Sequence, residues 1–580
     1  MKRAVVAVAA VLLLGACTGV PSSSAPQTVE PLQTPGATAG PTASPSPNAD
    51  PLTIVQSFLA ANPTNADGDT LARAYLTSAA RNRWSDNTAT IVADDYSVST
   101  YDATTRSVTV FGRVLGTLNA AGVYTPSLQG IGEGGPRRQF RYTLTKAAGQ
   151  NRIDQLPNGL LLSDQQFRAT FQQQVLYFYD ASETYLVPDL RWSALGDRGE
   201  LASWLLTQLV TGARPELQNA VNTDTLPTQA DARNLTVHLG SPTRIEIPGS
   251  SLLAPAVRDR LAAQVGYTLF NTLSEHTITV TDGGKAVQIP SVGGIQFSAA
   301  DFPSARGPSP PDPAVYYLVN GQVHTENGKP LSGALSDRRY FLFSVALARP
   351  HPAGPLYVAG VQGTGDTARL LVGTTEGLRA TGVKGELSRP AFAPGRAEVW
   401  IGVGSNLYRV TTDGTLPRST QVPMPPGSGG GRVVAVRISP DGSRIAIVVS
   451  GAKASTAQLY VGSIVRGSGQ VRVDAMQPVS PEGVVVRDVA WLDSSKLFAI
   501  GAIAATNEPR TFETGVDGTE WTNLGIGNLS YPPDSLTTTA EAPAVWVSSN
   551  GYVWKQESPT QWVSPGPTGQ TPGRMPVYLS

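Results

Sequence analysis

Residues 313–580 repeat a short pattern of apolar stretches and turn residues. Five of these stretches align on an aromatic residue: PLYVAG, NLYRVTTDGT, QLYVGS, RTFETGVDGT and NGYVWKQ. The aligned residues, Tyr357, Tyr408, Tyr460, Phe512 and Tyr552, are spaced by 51, 52, 52 and 40 positions. Four-stranded propeller blades repeat every ~40–50 residues. We therefore predict an all-β propeller of about five or six blades, whose closure removes exposed sheet edges.

A second repeated pattern supports the same interpretation. FAPGRAEVWI, ISPDGSRIAIV and WLDSSKLFAIG each place a turn before an apolar strand in three of the same units. The Ser-Pro-Asp-Gly turn is complete only at 439–442, so the repeats are irregular and the blade count stays open. The simplest interpretation of Asp441 is a turn residue.

The first residues carry a signal for export. Two basic residues precede an apolar run over 4–14, and the sequence LGAC ends at Cys17, which is the only cysteine of the chain. This pattern predicts a secretory signal peptide over 1–16, because the apolar run is shorter than the ~20 residues that span a bilayer. LGAC resembles the lipobox of bacterial lipoproteins, in which Cys17 would be the lipid attachment site. The alternative is an ordinary signal peptide that happens to contain a cysteine.

A low-complexity segment separates Cys17 from the folded part. Residues 17–49 comprise that cysteine and a stretch rich in Pro, Ser, Thr and Ala. Such a composition buries too little apolar surface to offset the entropy of ordering, so we expect a disordered tether. The tether would hold the folded part away from the lipid surface.

The next segment, 50–190, is predicted to be a small α+β domain. Asp50 and Pro51 predict the start of a helix. A second helix is predicted from the periodicity of Leu71, Ala74, Tyr75 and Ala79. Alternating polarity then predicts strands over 107–118 and 138–145. Helices followed by a curved antiparallel sheet resemble an NTF2-like domain.

A second α+β domain is predicted over 191–295. A helix that ends at Gly212 is followed by the strands NLTVHLG and TRIEIPG, a helix over about 254–272, and a hairpin with Asp282-Gly283 at its turn. This order resembles a GerMN domain. With a linker at 296–312, the predicted fold class is multidomain: two α+β domains, NTF2-like and GerMN-like, followed by the propeller at 313–580.

The candidate catalytic and metal-binding motifs are weak. The four histidines, His238, His276, His324 and His351, are too scattered to form a metal cluster, and we expect His238 and His276 to lie in strands, satisfied by neighbours. Residues 130–135 satisfy G-x-G-x-x-G but are predicted to lead into a strand, which favours a hairpin loop over a phosphate site. We therefore predict no metal and no cofactor.

The sequence also contains no clear motif for nucleophilic or acid–base catalysis. The sequence contains no G-x-S-x-G, and PPGSGGGR at 425–432 is typical of a linker between strands. Asp94 and Asp95 are adjacent in a predicted strand and would point to opposite faces. We predict no catalytic residue, although a triad assembled from separate blades stays an alternative. The 44 basic and 44 acidic residues balance, so no net field favours nucleic acid.

Four tryptophans crowd the C-terminal region: Trp521, Trp546, Trp554 and Trp562. They could line a sugar-binding face by stacking. The favoured interpretation is that they fill the interfaces between blades.

The segment LLLSDQQFRATFQQQVLYFYDASETYLVPDLRW at 160–192 resembles the sequence that precedes the GerMN domain in the LpqB family of actinobacterial lipoproteins. That family has the same order of lipobox, tether, α+β domain, GerMN domain and propeller. The resemblance implies a lipoprotein on the extracytoplasmic face of the cell membrane. It also implies a non-enzymatic accessory or regulator of a two-component sensor kinase such as MtrB, in cell-wall and division homeostasis. The alternative is a cell-wall glycan-binding protein or hydrolase that acts through the propeller face.

Overall fold

The computed structural model describes residues 44–61, 68–85, 88–127, 137–273, 276–307, 314–336, 338–350, 353–412, 417–424, 431–451, 456–467, 469–539, 544–565 and 570–580. The predicted signal peptide, Cys17 and the tether up to residue 43 lie outside these ranges. Ala43–Ser580 forms one compact unit. Among the described helices, none has the length and apolar composition that crossing a membrane requires.

Three helices and a six-stranded sheet form the first part. The helices are α1 Pro51–Ala61, α2 Gly68–Arg73 and α3 Ser78–Arg83. The strands are β1 Thr90–Val98, β2 Ser107–Leu118, β3 Tyr124–Pro126, β4 Arg138–Ala147, β5 Gln150–Gln155 and β6 Leu160–Ser163, in the order β5-β4-β2-β1-β6 with β3 on β2. Asp50 caps α1 as predicted, since its Oδ1 accepts from Thr53 N at 3.0 Å. Helix α4, Asp164–Thr170, follows with a capping box at Ser163.

The predicted second helix is wrong in one respect, because it is broken into α2 and α3. The break lies at Tyr75–Thr77, where the backbone pairs with Ile153 of β5 instead of continuing a helix. Thr77 then starts α3 by accepting a hydrogen bond from Ala80 N. A long-range backbone partner thus overrides the local periodicity.

The second part contains two helices and two small sheets. Its elements are β7 Gln172–Asp180, β8 Leu186–Ser193, α5 Arg198–Thr211, β9 Val221–Asn222, β10 Thr236–His238, β11 Thr243–Glu246, α6 Pro255–Leu269, β12 Ile278–Asp282 and β13 Lys285–Ala286. One sheet has the order β10-β11-β12-β13 and the other β8-β7-β9. The predicted order of helix, two strands, helix and hairpin is confirmed, and α5 ends at Gly212. The residue ranges that we assigned to the domains stay predictions.

The third part is a ring of six sheets. Its strands are β14 Val315–Val319, β15 Gln322–Thr325, β16 Leu342–Ala348, β17 Tyr357–Gln362, β18 Arg369–Thr374, β19 Gly377–Lys384, β20 Ala391–Phe392, β21 Glu398–Val403, β22 Asn406–Thr411, β23 Arg418–Val422, β24 Arg432–Ile438, β25 Arg444–Ser450, β26 Gln458–Gly467, β27 Gln470–Pro478, β28 Val484–Trp491, β29 Lys496–Ile503, β30 Glu508–Gly515, β31 Thr522–Gly525, β32 Pro533–Thr537, β33 Trp546–Ser549, β34 Tyr552–Ser558, β35 Gln561–Val563, β36 Thr571–Pro572 and β37 Arg574–Tyr578.

The six innermost strands, β16, β20, β24, β28, β32 and β37, contact one another in a closed ring. The ring closes because β37 pairs with β14, with Val315 opposite Tyr578. The last strand of the chain therefore completes the blade that the first propeller strands begin. The predicted multidomain fold with an all-β propeller is confirmed, and the strands that the structure describes form six blades.

The aromatic alignment places one residue incorrectly. Tyr408, Tyr460, Phe512 and Tyr552 lie on the third strands of their blades, whereas Tyr357 lies on β17, the second strand of its blade. The second and third strands of this blade, β17 and β18, are both largely buried and apolar. The spacing of aromatic residues alone therefore does not distinguish a second strand from a third. The second repeated pattern is correct in all three units, since each of its turns joins the first strand of a blade to the second.

Candidate functional site

The second half of the segment that carries the family resemblance, from Gln172 on, forms the hairpin β7–β8, and this hairpin contacts all three parts of the unit. Every residue of β8 is buried. Leu190 packs into the propeller with side chains such as Val448 and Val486. Val187 packs into the core around α5 and α6. Trp192 packs with Tyr124 and Phe167 of the first part.

A buried ion pair lies within β8. Arg191 donates from Nε and Nη2 to the two carboxylate oxygens of Asp189, at 3.1 and 2.8 Å. The side chains are 2% and 0% exposed. Arg191 also donates to the carbonyl oxygens of Ala121 and Gly212, at 3.0 and 3.1 Å. The pair thus ties the β2–β3 turn to the end of α5, and these extra hydrogen bonds offset the cost of burying two charges.

Arg214 extends the ion pair toward the propeller. Its backbone N–H donates to Asp189 Oδ2 at 2.8 Å, and its Nε donates to Glu216 Oε2 at 2.8 Å. Glu216 Oε1 accepts from Gln477 of β27 at 2.7 Å. Burial would raise the pKa of Glu216, but the charge and hydrogen bond of Arg214 outweigh it and hold that pKa below its ordinary value.

The propeller side of the contact is the complete Ser-Pro-Asp-Gly turn. Asp441 Oδ1 accepts from Ser439 Oγ at 2.9 Å and from Ser443 N at 2.8 Å, which confirms it as a turn residue. Arg444 follows the turn, is 4% exposed, and donates from Nη2 to the carbonyl oxygen of Pro188. Its Nη1 lies 3.8 Å from Asp441 Oδ2. The turn therefore orients an arginine that holds the hairpin.

A tryptophan completes the contact. Trp192 donates from Nε1 to Asp517 Oδ2, at 3.3 Å, in the turn after β30. Asp517 Oδ1 accepts from Thr519 N at 3.1 Å. We call the groups Asp189, Arg191, Arg214, Asp441, Arg444 and Asp517 the buried charge cluster. Sequence reasoning missed its role; the available signal was the presence of two charges in the otherwise apolar strand YLVPDLRW.

A second group of charges lies where the inner strands of the propeller meet. Asp488 of β28 accepts from Arg437 Nη2 of β24 at 2.7 Å and lies 3.8 Å from Arg389 Nη1. Arg389 also donates to the carbonyl oxygens of Leu536, at 3.0 Å, and Pro576. Burial and the neighbouring Arg437 lower the pKa of Arg389 to about 9, against the opposing effect of Asp488. These contacts join five of the six blades.

The histidines considered in the sequence are dispersed. His238 lies in β10 and is exposed. His276 precedes β12 rather than lying in a strand, and it stacks on Phe270 with ring centroids 4.4 Å apart. His324 contacts the carbonyl oxygen of Gly328 through Nδ1 at 3.0 Å. His351 lies outside the described residues. Within the described ranges, no group of three or more His, Cys, Asp or Glu side chains is placed to hold a metal ion.

The other candidate residues do not converge either. Asp94 pairs with Arg113, next to a bulge in β1. Residues 130–135 and 425–430 lie outside the described residues, and the strands β4 and β24 that follow them begin at Arg138 and Arg432.

The C-terminal tryptophans are incorporated into the blades. Trp546 and Trp562 are each 1% exposed. Trp521 packs against Phe512 with ring centroids 5.3 Å apart, and Trp554 is partly buried in the apolar cluster that contains Trp562. The interior interpretation is confirmed for Trp546 and Trp562, which offer no stacking face.

Comparison with known proteins identifies the family of this chain. The sequence profile described as "Lipoprotein LpqB, N-terminal domain" matches residues 44–168, and the profile described as "Lipoprotein LpqB beta-propeller domain" matches residues 318–578. A protein of Mycolicibacterium smegmatis named "Lipoprotein LpqB" is 30% identical over 476 residues, which cover 78% of this chain and 79% of the relative. The chain belongs to the LpqB lipoprotein family.

Other relatives match this LpqB-family chain equally well. The proteins of the same name from Mycobacterium bovis and Mycobacterium leprae are each 29% identical, over 461 and 478 residues. The matches cover 76% and 78% of this chain and 77% and 79% of the relatives. The names of these relatives describe a lipoprotein and not an enzyme. The two matched profiles lie on either side of the hairpin β7–β8, so the buried charge cluster joins the two named domains of the family.

Proposed function

We propose that this chain is lipid-anchored through Cys17 on the extracytoplasmic face of the cell membrane. There it would act as a non-enzymatic accessory or regulator of a two-component sensor kinase related to MtrB, in cell-wall and division homeostasis. The anchor is supported by the family to which the chain belongs and by LGAC at the end of the apolar run. The kinase is the partner that the family resemblance implies.

The observation that best supports a non-enzymatic role is the way the buried charges are used. Asp189, Arg191 and Arg444 make hydrogen bonds that hold the hairpin between the α+β parts and the propeller. A catalytic acid or base needs a proton-transfer partner in a substrate, and these groups are instead engaged by protein atoms. The arrangement suits a protein that presents one fixed surface.

We further propose that the partner contacts the α+β parts. Nine large apolar side chains are exposed among the described residues: four belong to the propeller and four to the second part, which includes the most exposed of the nine, Leu252. The four of the second part are Leu239, Leu252, Phe270 and Ile295. Leu252 is 77% exposed. Apolar surface that a folded chain leaves exposed can serve as the contact with a protein partner. Tethering both proteins to one membrane would raise their local concentration, so a modest interface would suffice.

Binding of the full-length chain in detergent to the purified extracytoplasmic domain of the kinase would test this proposal. We expect Leu252→Ser and Phe270→Ser to weaken binding about tenfold, because interface anchors contribute more than ~1 kcal/mol each. The matched control is Tyr531→Ser, which removes a side chain that is 55% exposed on the propeller. Failure of the full-length chain to bind, or an equal loss with Tyr531→Ser, would contradict the proposal. Cleavage of peptidoglycan by the same preparation would favour the glycan hydrolase.

A further inference from the structure

A cavity of about 1020 Å³ lies at one end of the propeller axis. All six innermost strands or the residues that adjoin them contribute to its wall. The cavity is also lined by Tyr177 and Pro188 of the hairpin β7–β8 and by Tyr267 of α6. The 3-10 helix Pro303–Arg306 borders the same space. The α+β parts and the propeller thus enclose it together, at the upper end of the volumes typical of small-molecule sites.

The wall of this cavity is strongly basic. Its charged lining side chains are four arginines, Arg306, Arg349, Arg389 and Arg437, and one aspartate, Asp493, and Ser580, the last residue of the sequence, lies beside Arg349 on the same wall. Asp488, which lies behind the wall, is shared by Arg389 and Arg437 and can neutralise only one of them. Excess positive charge in a partly enclosed space is unfavourable unless an anion enters.

The wall also keeps hydrogen-bonding capacity that the protein does not use. Three of its residues carry a buried polar atom without a hydrogen-bond partner among the described residues: Arg349 Nε, Trp491 Nε1 and Thr538 Oγ1. Trp491 is only 5% exposed. Buried polar atoms are nearly always paired, so a polar molecule or a water beside these three atoms would satisfy them.

The remaining wall suits an organic molecule rather than a bare ion. The rings of Tyr177 and Tyr267 pack against each other at an angle of 59° with centroids 5.7 Å apart, and Val175, Leu186 and Ile438 add apolar surface. Guanidinium groups present paired N–H donors that match carboxylate and phosphate oxygens. We propose that this cavity binds a small organic anion, whose carboxylate or phosphate group pairs with Arg349 and Arg306 and whose body lies against the tyrosines. This inference is independent of the proposed kinase partner.

Calorimetric titration of the full-length chain in detergent tests the site, with citrate as the carboxylate probe and pyrophosphate as the phosphate probe at matched ionic strength. We expect saturable binding of at least one probe, and the preferred probe identifies the head group. Arg349→Gln and Arg306→Gln should each weaken that binding about tenfold, since each removes a charge-assisted hydrogen bond.

The matched control is Arg418→Gln, which neutralises an exposed arginine on the outer strand β23. The Arg418→Gln variant should bind the probe with the same affinity as the parent chain. Arg306 is exposed at the cavity border, so Arg306→Gln should fold normally, and its thermal unfolding midpoint verifies this. The inference is overturned if neither probe binds, or if Arg418→Gln weakens binding as much as Arg349→Gln does.

Discussion

Trp192 and Asp517 are 325 residues apart in sequence, yet the indole N–H of the first donates to a carboxylate oxygen of the second at 3.3 Å. Both residues are buried. The hydrogen bond joins the hairpin β7–β8 to the propeller sheet that strands β28 to β31 form. It shows that the α+β parts and the propeller share a polar interface rather than meeting only through a linker.

Removing this hydrogen bond should destabilise the unit. We expect Trp192→Phe to lower the free energy of unfolding by about 1–3 kcal/mol, because Asp517 would keep a buried carboxylate oxygen without its donor. The matched control is Trp521→Phe, whose indole Nε1 has no hydrogen-bond partner among the described residues. Denaturant unfolding of the two variants should give the smaller loss for Trp521→Phe, and equal losses would show that packing alone explains the effect.

The buried ion pair of β8 should matter more than an exposed one. Arg191→Met leaves Asp189 buried without its partner, and we expect a loss of about 3–5 kcal/mol in the free energy of unfolding. Arg233→Met is the control, since Arg233 is 91% exposed beside Asp231 and such pairs contribute about 0–1 kcal/mol. A loss for Arg191→Met as small as that for Arg233→Met would contradict the role given to the pair.

Acid should weaken the contact between the segment that follows α5 and β27. Arg214 holds the pKa of Glu216 below its ordinary value of 4.5 in the folded chain. The folded state therefore binds this proton less readily than the unfolded state, and the stabilisation is present above pH 4.5 and is lost as the pH falls below it. The stability difference between the parent chain and Glu216→Gln should shrink over that range. Glu557→Gln, at an exposed position, should show no such convergence in unfolding curves recorded from pH 7 downward.

Replacing Gly501 of β29 should destabilise the propeller for a steric reason. A Cβ on Gly501 of β29 would lie 2.0 Å from the carbonyl oxygen of Val485. The register of β28 shifts just after this point, between Val486 and Asp488. We expect Gly501→Ala to cost about 1–3 kcal/mol, as overpacking does, whereas Gly467→Ala, with nothing within 4 Å, should be tolerated. Thermal unfolding midpoints compare the two variants directly, and equal midpoints would contradict the prediction.

The proposed anchor makes a separate prediction. Cys17→Ala removes the only sulfur to which a lipid could be attached, and we expect the chain to leave the membrane fraction. Two or three acyl chains, at ~0.8 kcal/mol per buried CH₂ group, would account for stable attachment. Ser22→Ala is the control and should stay in that fraction. Retention of Cys17→Ala in the detergent phase after phase separation would show that lipid on Cys17 is not the anchor.

Local signals in the sequence predicted local structure well. Asp50 caps α1, residues 107–118 form β2, and the hairpin turn follows Asp282 at Gly283-Gly284, one residue later than predicted, because each depends on neighbours within a few residues. The propeller was predictable because its blades repeat the same turn-and-strand pattern.

Contacts between distant segments were not predictable in the same way. The distant partners of Asp189 and Trp192 are Arg214 and Asp517, which no periodicity relates to them. The break between α2 and α3 depends on Ile153 of β5 for the same reason. The arginines of the axial cavity come from separate blades and from the 3-10 helix before the propeller, so the ring must close before they become neighbours.

The pairing of Val315 with Tyr578 determines how long the edge of β14 stays unpaired during synthesis. After Val315 of β14 has been added to the chain, 263 more residues must follow before its partner Tyr578 exists. At ~5–20 residues per second, that strand edge waits roughly 13–50 seconds unpaired. An unpaired edge is a template for pairing with other chains, so the risk of aggregation lasts throughout this interval. A chain that stops short of β37 cannot close the propeller ring, so only chains that include β37 can complete the fold.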